Sequence, residues 1–141
     1  MRTAHCQKIA RALSPLAVSV CALFFAQLAT AADAVRGGEL YSSRCGACHD
    51  LVENGAGPRH AGLLNRKAGT QPGYDYSAAL RASGIVWDEQ QLDRWLANPT
   101  ALIPGNKMVV RLANDPQDRR DIIAFLKEAT SRTAPSKHGG S

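Results

Sequence analysis

Cys45-Gly46-Ala47-Cys48-His49 decides the reading of this chain. Two thiols and an imidazole in this order form the C-x-x-C-H pattern through which c-type haem is attached. The spacing has a physical reason. Thiols about one helical turn apart reach the two vinyl groups of one porphyrin, and the histidine directly after the second can turn its ring under the iron. Other readings compete. A thioredoxin-like redox pair expects a neighbouring β-α-β unit, and none is visible in the pattern. Half of a zinc site needs further ligands, and beyond residue 31 only His49, His60 and His138 could accompany the thiols. A structural disulfide across so short a loop would constrain the unfolded chain weakly.

The sixth ligand follows by elimination. Apart from Met1 the only methionine is Met108, after Pro104-Gly105-Asn106-Lys107 in what reads as a loop. A loop thioether is poorly explained as core filler, although methionine does fill gaps. His60 is the rival. Opposite His49, Met108 would give the Met/His ligation that raises haem potential. Two strong ligands leave no open position on the iron. That separates a one-electron carrier from an oxygenase or peroxidase, and the chain is read as no enzyme.

Residues 2–11 carry Arg2, Lys8 and Arg11 and no acid. An apolar run over about 16–28 follows, and then the small-residue site Ala29-Thr30-Ala31. This is the order of a secretory signal, with cleavage expected after Ala31 and a second site at Ala32-Asp33-Ala34. An uncleaved membrane anchor is the alternative. Ser14, Pro15, Ser19 and Gln27 interrupt the stretch and make it a poor span. Val18-Ser19-Val20 before Cys21 does not resemble a lipoprotein cleavage box, and Arg2 and Arg11 are too far apart for the twin-arginine route. The expected organisation is a signal over 1–31, one domain over 32–131 and a disordered tail over 132–141. Cleavage would remove Cys6 and Cys21, leaving only Cys45 and Cys48, and would lower the formal charge from +5 to +2. A nucleic-acid function, which needs a basic patch or stripe, loses most of its support. So short a domain with so few aromatic residues buries a modest core. A large apolar cofactor at its centre would enlarge it.

Helical signals recur along the chain, and no alternating run is strong enough for a sheet. Asp33 can cap a helix through about Arg44, and Ser77 to Ala82 reads as a short helix stopped by Gly84. Asp88 and Gln91 have capping-box spacing and open a helix through about Ala97, with Leu92, Trp95 and Leu96 on one face and Asn98-Pro99 as its end. Asp115-Pro116 opens the last helix, whose buried face is Ile122, Ile123, Phe125, Leu126 and Ala129. The Gly-rich stretch over 50–73 can wrap a flat ligand closely.

Beyond the haem motif, Gly57-Pro58, Arg66-Lys67-Ala68-Gly69, Gly73-Tyr74-Asp75-Tyr76-Ser77, Trp87, Asn98-Pro99, Pro104-Gly105-Asn106-Lys107-Met108 and Ile122-Ile123-Ala124-Phe125-Leu126-Lys127 stand in one order. On these the chain resembles class I cytochrome c, in its mitochondrial-type and bacterial cytochrome c2 branch, over nearly all of 34–130. The resemblance implies an all-α cytochrome c fold around a single haem c, covalent through Cys45 and Cys48. It implies that the Pro58 carbonyl meets the His49 N–H, and that Arg66, Tyr76 and Trp87 hold the haem propionates. Gly37 and Tyr41 are expected to meet Ile122 and Phe125 at a close helix crossing. The chain also departs from the family. Trp95 replaces a usual tyrosine that bonds the methionine sulfur, Leu80 a pocket asparagine, Asn106 a threonine and His60 a leucine. Thr100 and Ala101 stand where lysines usually cluster at the haem edge, leaving Arg44 and Lys107 near that rim. Docking is therefore expected to depend less on charge than in mitochondrial relatives.

The function expected is a monomeric periplasmic electron carrier between a bc1-type donor and an oxidase, reaction centre or reductase, meeting membranes only through these partners unless the signal stays uncleaved. Two alternatives remain: the haem subunit of a periplasmic dehydrogenase complex, and a gas-binding or peroxidase haem protein in which Met108 is displaced.

Overall fold

A computed structural model describes residues 31–133. The chain divides into units at Met1–Thr30 and Ala31–Ser141, and only the second is described here. The expected signal, up to residue 30, and the expected tail from 134 onward lie outside the described residues.

Each helix begins where a short polar side chain can take the orphan N–H groups of a first turn. Asp33 accepts from the N–H of Val35 and Arg36 to open α1, Ala34–Arg44. Ser77 caps α2, Ala78–Ala82, and Gly84 follows at φ +70°. Asp88 caps α3, Glu89–Ala97, by accepting from Gln91 N. The return half of the expected capping box is absent, because Gln91 Oε1 is buried with no partner among the described residues. Asn98 ends α3 as expected but also caps α4, Pro99–Leu102, which the sequence reading missed. Pro116 opens α5, Pro116–Thr133, which runs two residues into the segment read as tail. Among the described residues there is no named strand, only a bridge between Lys67 and Val86. The architecture is all-α with long loops.

α1 crosses α5 and α3 packs beside it. The crossing is close because α1 presents Gly37: a Cβ there would stand 1.9 Å from the Asp121 carbonyl oxygen and 3.0 Å from Phe125 Cβ. Tyr41 meets the Phe125 ring with centroids 5.2 Å apart, and Ile122 is fully buried beneath them. Beside this apolar contact sits an ion-pair cluster that the sequence reading did not find. The buried carboxylates of Asp118 and Asp121 both pair with Arg36, and Asp118 also pairs with Arg44 at 2.7 Å. Asp33 N–H donates to Asp121 at 2.9 Å, tying the start of α1 to α5.

The loop between α1 and α2 is held by side chains. Asp50 accepts from Val52 and Glu53 N–H, and Tyr74 OH donates to Ala56 O. Backbone bonds Asn65 N to Trp87 O, Trp87 N to Arg66 O and Ala68 N to Ile85 O join its far end to the segment before α3. That pairing brings Arg66 and Trp87 to one wall of the interior.

Candidate functional site

The backbone keeps turning beyond α1. Cys45 and Gly46 N–H both donate to Tyr41 O, and Cys48 and His49 N–H both donate to Cys45 O. This places the two cysteines on one turn, with both thiols free. Cys48 is exposed and Cys45 half-buried. Burial pushes the Cys45 thiol up to about 11, with a smaller push from Cys48 against the pull of Arg44.

His49 is fixed by its surroundings. Its Nδ1 lies 2.8 Å from Pro58 O. A carbonyl only accepts, so Nδ1 carries the proton and Nε2 is left with its lone pair. This is the contact that the resemblance implied for Pro58. Gly57 packs directly on the ring, and a Cβ there would fall 2.3 Å from His49 Cε1. The His60 ring stacks on His49 with centroids 4.3 Å apart and planes 21° from parallel. Its Nδ1 is 3.1 Å from Tyr41 OH. Burial, with smaller contributions from His49 and Arg66, pushes His60 down to about 3, so it is neutral at ordinary pH.

Met108 is held from two directions. Trp95 Nε1 donates to its sulfur at 3.1 Å, so the indole performs the bond the resemblance assigns to a tyrosine. Asn106 Oδ1 accepts from Met108 N at 2.7 Å, and Asn106 Nδ2 donates to Ile103 O. Gly105, at φ +81°, turns the loop between them. Lys107 is drawn aside, with Nζ on the Asp75 carbonyl and carboxylate.

Arg66 donates to Ala61 O, Arg59 O and Gln71 Oε1. Burial lowers its pKa and raises that of Tyr76. Trp87 meets Trp95 edge-on with centroids 5.4 Å apart. All nine residues singled out from the sequence, namely Cys45, Cys48, His49, Pro58, Arg66, Tyr76, Trp87, Trp95 and Met108, line one cavity of about 270 Å³. Leucines 63, 80, 92, 96 and 112 supply much of the remaining wall.

The donors fit haem c. Two free thiols on one turn, an imidazole with its Nε2 lone pair available and a thioether face a leucine-rich interior. Beside Arg66, Gln71 Nε2 is buried with no partner among the described residues. Among the described residues no group of three or more His, Cys, Asp or Glu side chains is placed to hold a metal ion. The sequence reading missed Gln71 and the Tyr41–His60 pair. A polar residue at a position the family gives to leucine was the one available signal.

The cytochrome c family model matches residues 34–130. The cytochrome c2 of Rhodomicrobium vannielii is 39% identical over 119 residues, covering 82% of this chain and 94% of that one. The cytochrome c of Sesamum indicum is 45% identical over 102 residues, covering 69% and 91%. Among solved structures, cytochrome cH from Methylobacterium extorquens superposes with a TM-score of 0.65 at 43% identity, covering 68% of this chain and 98% of that one. Such proteins carry one haem c attached through a cysteine pair, here Cys45 and Cys48, and they move electrons rather than catalyse a reaction. The fold, the cavity and these similarities agree: the chain belongs to the cytochrome c family, as a class I electron carrier.

Proposed function

We propose that this cytochrome c is a periplasmic, monomeric one-electron shuttle between a bc1-type donor and an oxidase, reaction centre or reductase, with His49 and Met108 as its iron ligands. The observation that carries the ligation is the pairing of two oriented donors in one cavity. The Pro58 carbonyl commits the His49 proton to Nδ1 and frees Nε2, and Trp95 holds the Met108 sulfur. Bound haem supplies the one-electron couple. The chain's residues set its terms: a thioether ligand and leucine walls disfavour the extra charge of the ferric state. Arg66, Tyr76 and Trp87 would receive the propionates, and the half-buried cation of Arg66 suits that task.

The periplasmic location rests on the signal pattern over 1–31 and on similarity to a bacterial cytochrome c2. Among the described residues no helix is long and apolar enough to cross a membrane. Mass spectrometry of the secreted protein tests both export and cofactor, by reading a mature start near Ala32 and the added mass of one haem.

The ligation is tested by optical spectra of ferric and ferrous protein, with and without carbon monoxide. The expected result is low-spin iron with a weak red sulfur-to-iron band, lost in Met108→Ala, and no change with carbon monoxide. High-spin iron, or ready carbon monoxide binding by the unmutated protein, would overturn it in favour of an open sixth position.

A further inference from the structure

His60 is absorbed by no role so far, yet it touches the proposed iron ligand directly. We propose that His60, held by Tyr41, is a positioning residue that sets the rotational angle of the His49 ring.

The need for such a device follows from torsional freedom. A histidine ring turns about a broad, two-fold Cβ–Cγ torsion. The Pro58 bond directs one edge of the His49 ring and leaves room for rocking. The His60 face, 4.3 Å away and 21° from parallel, limits that rocking. The Gly57 backbone, against Cε1, limits it again. A leucine at 60 would fill the space without presenting a plane. The His60 plane is itself fixed, because Tyr41 OH lies 3.1 Å from its Nδ1. Tyr41 is buried in the α1–α5 crossing and packed on Phe125. The orientation of the ligand is thus referred, through two side chains, to the close crossing of α1 and α5.

This rests on His49 ligating the iron. In a low-spin ferric haem the plane of an imidazole ligand governs the anisotropy of the electron spin resonance and the spread of the haem-methyl proton shifts. The test records both for the ferric holoprotein, for His60→Leu, for Tyr41→Phe and for the double variant, with the red band as a check on Met108. The expected result is a changed g-anisotropy and methyl-shift spread in each single variant, with the red band kept. Adding Tyr41→Phe to His60→Leu is expected to change nothing further, because Tyr41 acts only through His60. Tyr41→Phe keeps the packing on Phe125, so it reports even where His60→Leu folds poorly. A low-spin signature unchanged in Tyr41→Phe or His60→Leu, or additive shifts in the double variant, would overturn the clamp alone. A high-spin wild type would overturn the ligation and the clamp together.

Discussion

The indole N–H of Trp95 points at the Met108 sulfur from 3.1 Å. With Met108 on the iron, as proposed, a donor on one sulfur lone pair would withdraw electron density and make the thioether a poorer partner for ferric than for ferrous iron. Trp95→Phe removes the donor and keeps a ring to meet Trp87. A neutral hydrogen bond is worth about 1 kcal/mol, and 59 mV corresponds to a tenfold change for one electron. The midpoint potential is therefore expected to fall by roughly 20–40 mV, with the red band retained. Potentiometric titration of the holoprotein measures it, and an unchanged or raised potential would refute the tuning role.

Gly37 and Gly38 sit side by side in α1 and predict opposite tolerances. A Cβ on Gly37 meets backbone, the Asp121 carbonyl oxygen, at 1.9 Å. The helices would have to part, and Gly37→Ala is expected to cost about 3 kcal/mol, the upper range for overpacking. A Cβ on Gly38 meets only the edge of the Phe125 ring, at 3.2 Å. A ring can give by that amount, and alanine is favoured over glycine inside a helix by about 0.5–1 kcal/mol. Gly38→Ala is expected to lie near wild type. Urea unfolding of both holoproteins separates them, and equal losses would contradict the asymmetry of the crossing.

The parts legible in the sequence were those written locally. Asp33, Ser77 and Asp88 announce helix starts because a cap needs only residues two or three positions away. The same chemistry at Asn98-Pro99 was read only as an ending, although asparagine before proline is also a start signal, and α4 was missed. Cys45, Cys48 and His49 were visible because attachment needs them adjacent. The partnership of Pro58 with His49 came only from resemblance, since a carbonyl carries no residue signature. The Tyr41–His60 pair depends on how the loop over 50–61 returns to α1, which no local pattern encodes. Nothing local in the sequence marks Asp118 and Asp121 as buried carboxylates. Their burial depends on Arg36 and Arg44, more than seventy positions earlier in the chain.

Asp121 makes acid stability a local question. Burial alone would raise its carboxyl, but Asp33 N–H, Arg36 and Gln117 outweigh that and hold it below the usual carboxylate range. A folded value below the unfolded one, about 3.9, gives stabilisation that is complete above the unfolded value. It is lost as pH falls through the folded value. Asp121→Asn keeps an acceptor for Asp33 N–H and loses the charge. It is expected to cost about 2 kcal/mol at neutral pH, the scale of a charge-assisted hydrogen bond. The difference from wild type is expected to shrink as pH is lowered below the unfolded value. Urea unfolding at pH 7 and under acid conditions reads the two, and a gap that stays constant would mean Asp121 acts by shape rather than charge.

Lys107 and Arg44, the cations expected near the haem rim, are both already paired. Lys107 Nζ holds Asp75 at 2.8 Å, a contact that lowers the carboxylate pKa, and Arg44 holds Asp118 at 2.7 Å. Val109 beside Met108 is 86% exposed. A rim of neutralised cations and exposed valine has little field with which to steer a charged reactant. Oxidation of the ferrous protein by ferricyanide is therefore expected to depend weakly on ionic strength. Asp75→Asn would leave Lys107 only neutral acceptors, the Asp75 carbonyl among them, and add one net positive charge at the cavity mouth. The second-order rate with this anion is then expected to rise several-fold at low salt and to fall more steeply as salt screens the new charge. Stopped-flow measurements across ionic strengths decide it. A variant with the rate and slope of wild type would mean that electrons leave the haem by a face remote from Lys107.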